Sequence, residues 1–114
     1  MFKRPEEELS LFGEFVEGLC DVLGVSESYV AKEAGVLKST LSANKRDRRP
    51  TRDAVDRLWR VFARLMVEQG KTDLLEERIT FYSVAGWPTE EVEYYLQYRI
   101  RRIRDKYPEE ENKK

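Results

Sequence analysis

VAKEAGVLKSTLSANKRDRRP, residues 30–50, decides the fold and poses a charge problem. Its first half is small and apolar, and its second half is basic. Residues 38–52 hold six cations (Lys38, Lys45, Arg46, Arg48, Arg49, Arg52) against one anion, Asp47, a local balance of +5. Residues 1–37 carry 3 cations against 8 anions, or -5, and residues 53–114 carry 12 against 13, or -1. The formal net charge of -1 over 114 residues therefore hides a polarised layout.

The stretch meets the demands of two short helices joined by a tight turn. Such a unit needs a small residue where the helices approach, a turn residue tolerant of positive φ, and apolar residues that pin both helices to a core. Ala31 stands four residues before Gly35; Val30 and Ala34 precede the turn, Val36 follows it, and Leu41 lies six residues past Gly35. This spacing predicts a helix, a turn at Gly35, and a second helix over 38–46.

Working outward, apolar residues keep a helical period and no run alternates as a strand does. A first helix is expected from near Pro5, with Glu6, Glu7 and Glu8 at the positive end of its dipole. Leu9, Phe12, Val16, Leu19 and Leu23 make its inner face, and Gly24 stops it. Ser26 caps the second helix. Thr51 caps a fourth, with the stripe Val55, Leu58, Phe62, Leu65 and Met66, i,i+4 pairs Asp53–Arg57 and Asp56–Arg60, and a stop at Gly70. Thr72 opens a fifth, with Leu75, Ile79, Tyr82 and Ala85 inward and Gly86 at its end. After the turn Gly86-Trp87-Pro88-Thr89, a last helix presents Val92, Tyr95, Leu96, Ile100, Ile103 and Tyr107 on one side. The fold class is all-α. Residues 1–86 form one helix-turn-helix domain, 87–107 an additional C-terminal amphipathic helix, and 108–114 a polar tail.

Composition narrows the function classes. One cysteine (Cys20) and no histidine leave no disulfide framework, no usual zinc set and no nucleophile–base pair. No enzyme activity, metal or cofactor is expected, and Cys20 reads as a small buried hydrophobe. No segment reaches the ~20 apolar residues of a membrane span. MFKRPEEELS lacks the apolar core of a signal peptide, so a cytoplasmic location is expected.

The segment resembles the phage-repressor, or Cro-like (XRE), family of helix-turn-helix domains. The matching residues are Gly24-Val25-Ser26, Val30-Ala31, Ala34-Gly35-Val36, Ser39-Thr40-Leu41-Ser42, and a basic loop ending Arg48-Arg49-Pro50-Thr51. The resemblance runs from about Phe12 to Leu65. It implies a five-helix lambda-repressor-like domain that binds double-stranded DNA with the 38–46 helix in the major groove. On that geometry Lys38, Ser39, Ser42 and Ala43 face base edges, and Thr40, Lys45, Arg46, Arg48 and Arg49 meet phosphates. Glu27 and Cys20 stand where the family often carries Gln and Arg, its usual phosphate-side contacts.

The implied function is a prokaryotic or phage transcription regulator of repressor type, acting as a homodimer. The dimer interface expected is Val92, Tyr95, Leu96, Ile100 and Ile103, because that stripe must be covered, by its own domain or by a second copy. A reading from another class stays open. It is an antitoxin or accessory interaction module whose C-terminal helix binds a partner protein.

Overall fold

The computed structural model describes residues 9–106, which are all-helical; no strand occurs among them. Six α-helices follow in order: α1 (Leu11–Leu23), α2 (Glu27–Ala34), α3 (Lys38–Asn44), α4 (Arg52–Glu68), α5 (Arg78–Val84) and α6 (Glu90–Lys106). A 3-10 helix, Thr72–Glu77, leads into α5.

Pro5 and Glu6–Glu8, the expected first turn, lie outside the described residues. The first helix begins later than expected, at Leu11, because Ser10 is held extended and its hydroxyl accepts the Gly13 N–H at 3.0 Å. Leu9 precedes this cap and is not part of the helix. Ser26 and Thr51 cap α2 and α4 in the same way, accepting from the Tyr29 and Ala54 N–H groups. Between α2 and α3, Gly35 has φ 73°, a left-handed conformation that a side chain would strain. The Val36 N–H then reaches back to the Ala31 carbonyl at 2.9 Å, closing the turn.

The third helix ends at Asn44, two residues before the expected Arg46. There the chain wraps around one acceptor: the N–H groups of Arg46, Asp47 and Arg48 all donate to the Ala43 carbonyl, at 3.1, 3.2 and 3.1 Å. Asn44 Nδ2 donates to the Arg48 carbonyl at 3.1 Å and fixes the turn from inside.

The core is one cluster. Phe12, Val16, Leu19 and Leu23 of α1, Val30, Ala31 and Ala34 of α2, and Leu41 of α3 meet Val55, Leu58, Phe62, Leu65 and Met66 of α4. Phe81 of α5 closes it. Its ring lies 5.4 Å from Phe12, 5.4 Å from Trp59 and 5.8 Å from Phe62, in tilted and edge-on contacts. The inner face of the fifth helix differs from the one its spacing predicts. Tyr82 and Ala85 are buried and Leu75 packs partly, but Ile79 faces solvent and Phe81 takes the centre. The cause is the 3-10 turn: Leu75 lies on a tighter helix, so its i+4 step to Ile79 does not continue the α5 face. Thr72 makes no cap. Asp53 pairs with Arg57 at 2.7 Å, as expected, but Asp56 does not pair with Arg60. It accepts from the Tyr82 hydroxyl and lies 3.6 Å from Arg52.

The last helix does not fold back on the domain. No side chain of α6 is buried; Val92 is half-buried, and the rest of its apolar stripe, Tyr95, Leu96, Ile100 and Ile103, faces solvent. Tyr107, assigned to that stripe, lies outside the described residues. The molecule is elongated as a result, 60 × 39 × 27 Å. No helix among the described residues is long and apolar enough to cross a membrane.

Candidate nucleic-acid interface

The outer face of α3 and the loop after it form one continuous polar and cationic surface. Lys38, Ser39 and Ser42 are exposed on α3, with Thr40 and Ala43 half-buried beside them. Arg46 and Arg48 extend the surface along the loop, and Arg46 reaches back to the Ser42 carbonyl at 3.3 Å. Among the described residues, no hydrogen bond or ion pair engages the side chains of Lys38, Ser39 or Arg48. Leu37, just before the helix, is 72 % exposed. Its exposure follows from its place as the N-cap without a side-chain capping bond; that place in the turn was the available signal.

Two expected contacts are committed elsewhere. Lys45 is buried, its side chain 7 % exposed, and its ammonium donates to Glu17 at 2.9 Å and to Glu27. The Lys45 carbonyl accepts from the Ser10 N–H at 2.7 Å and the Ser10 hydroxyl at 3.0 Å. This backbone passes so close to α1 that a Cβ on Gly13 would sit 2.2 Å from the Lys45 oxygen. Lys45 is therefore a clamp that ties the end of α3 to α1 and α2, and it is not placed to meet a phosphate. Burial alone would lower its pKa, but the hydrogen bonds and charges of Glu27 and Glu17 outweigh burial and raise it. Helical spacing held the clue: Lys45 is four residues past buried Leu41, next to the core side, at the end of α3.

Arg49 is exposed but engaged. Its guanidinium lies 3.9 Å from the Trp87 ring centroid and donates to the Gly86 carbonyl. Trp87 Nε1 donates to the Pro50 carbonyl at 2.8 Å, so the basic loop and the turn before α6 hold each other.

Glu27 and Cys20 take their meaning from the same clamp. Glu27 is a counter-ion of Lys45. Cys20 is buried against α1's neighbours, and burial chiefly, with Glu27 adding to it, pushes its thiol up to about 11. It stays a protonated hydrophobe at neutral pH.

Known protein families, curated proteins and solved structures offer no match to this chain.

Proposed function

We propose that this chain is a sequence-specific double-stranded DNA-binding regulator that lays α3 in the major groove. One observation carries the reading: the uncommitted Lys38, Ser39 and Ser42 face solvent together on a helix whose C-terminal end is clamped through Lys45. A base-reading helix needs that combination of free donors and acceptors on a rigid mount. Lys38 is suited to guanine acceptors, Ser39 and Ser42 donate or accept, and Leu37 and Ala43 offer methyl contacts. Arg46 and Arg48 are suited to the flanking phosphates and set register.

The test is selection of bound duplexes from a random pool at low and moderate salt. A near-palindromic site that survives added salt is expected. A Lys38→Ala, Ser42→Ala chain should lose preference among sites while keeping part of its affinity. Binding that is sequence-blind and disappears with salt would mean that the cations merely attract a polyanion.

The bare α6 stripe also favours a second reading, an antitoxin or accessory module that binds a partner protein through this helix. It is preferred if no duplex is selected at any salt while the α6 face is needed for activity in cells.

A further inference from the structure

We infer that two copies of this chain pair through α6 in antiparallel fashion, about a two-fold axis near Tyr98. This does not depend on DNA binding. Leu96, Ile100 and Ile103 are 48, 41 and 58 % exposed, and Tyr95 is 53 % exposed, all on the side of α6 that carries Val92. Together they bare apolar surface on the order of a few hundred Å² per copy, the size at which a patch marks an interaction site.

Charge identifies the occupant and its direction. The first turn of α6 carries Glu90, Glu91 and Glu93, and its second half carries Arg99, Arg101, Arg102 and Arg104. At about 100° per residue, positions eleven apart share one flank of a helix. Glu93 and Arg104 therefore border the same edge of the apolar stripe, and Glu91 and Arg102 border the other. An antiparallel two-fold brings like edges together, with pairs whose numbers sum to nearly the same value. Leu96 then meets the partner's Ile100, Val92 meets the partner's Ile103, and Glu93 meets the partner's Arg104. One register pairs both the apolar positions and the rim charges, with Arg99 lying within the stripe and held by the Tyr95 hydroxyl. A parallel pair would set glutamates on glutamates and arginines on arginines.

The intrachain contacts leave this pairing open. Glu91 is bound to Arg78 at 2.9 Å, and Arg99 and Arg102 donate to the Tyr95 and Tyr98 hydroxyls at 2.8 and 3.2 Å. Glu93 and Arg104 have no side-chain partner among the described residues.

Sedimentation velocity on the full chain without DNA, over a hundredfold concentration range, tests this. The parent should dimerise. Glu93→Arg alone and Arg104→Glu alone should each weaken the dimer about tenfold or more, by placing like charges opposite each other twice. Mixing the two single variants should restore parent-like dimers, because each reversed residue then meets its complement on the other chain. Recovery on mixing also demonstrates that both variants are folded. Dimers unaffected by either reversal, or no recovery on mixing, would overturn the antiparallel register. A parent that stays monomeric at the highest concentration would overturn self-pairing and leave the face to another kind of partner.

Discussion

Lys45 separates two kinds of cation that look alike in a basic run. Its ammonium sits between Glu17 and Glu27, whose side chains are 45 and 29 % exposed, so Lys45→Ala leaves two carboxylates facing each other in a partly wet site. That should cost about 1–2 kcal/mol of stability, below the figure for a fully buried pair. Its effect on DNA binding should follow lost folding and leave the salt dependence of the folded fraction unchanged. Arg48→Ala should do the reverse: stability within about 0.5 kcal/mol, but a salt slope shallower by about one. Urea melts alongside salt-titrated binding distinguish the two. The pH dependence has a defined sign. Lys45 has a folded pKa above its ordinary 10.5, so its stabilisation is fully present below 10.5 and is lost as pH rises through the folded value. Tyr82, pushed up to about 12 by burial and by its bond to Asp56, adds a second loss as pH rises from about 10 through about 12. Urea midpoints between pH 9 and 12 should fall in the parent and fall less in a Lys45→Met, Tyr82→Phe chain.

Helix boundaries were legible where a side chain or a glycine sets them. Ser26, Thr51 and Gly35 stand where local chemistry puts them, because each acts on backbone two or three residues away. The first and fifth helices were misplaced because their limits depend on distant contacts. Ser10 is fixed through the Lys45 carbonyl, 35 residues away, and the turn at Thr72 through packing of Leu74 and Leu75 on the core. Two glycines of α1 test this at the level of the helix. Gly18 has open space where a Cβ would go, so Gly18→Ala should stabilise by about 0.5–1 kcal/mol through helix propensity. Gly13→Ala meets the Lys45 carbonyl at 2.2 Å and should instead cost about 1–3 kcal/mol as the two elements are forced apart. In α5, Phe81→Ala removes the ring at the centre of the core and should cost about 3–5 kcal/mol. Ile79→Ala, on the solvent side of the same helix, should stay within about 1 kcal/mol. Thermal melts of the four variants measure all of these, and equal losses at Phe81 and Ile79 would contradict the observed face.

At the scale of the molecule, charge and shape act together. The chain is nearly neutral, so a duplex gains nothing from its overall field and everything from where the cations stand. Of the six cations in residues 38–52, Lys45 is consumed by the clamp, Arg49 by the turn before α6, and Arg52 lies by Asp56. Arg46 and Arg48 remain for phosphates, and Lys38 for base edges. The sequence revealed the cluster, but only the packing reveals which members are already spent. Two phosphate contacts per copy give a slope of log affinity against log salt of about -2, and a paired molecule on two half-sites about -4. Binding of parent and Glu93→Arg chains to one duplex, titrated from low to moderate salt, joins the recognition face to the α6 pairing. The parent should show the steeper slope. The reversed variant, acting one copy at a time, should show about half of it, and mixing it with Arg104→Glu chains should restore the steep one. Equal slopes throughout would mean that each copy binds DNA alone, whatever α6 does in solution.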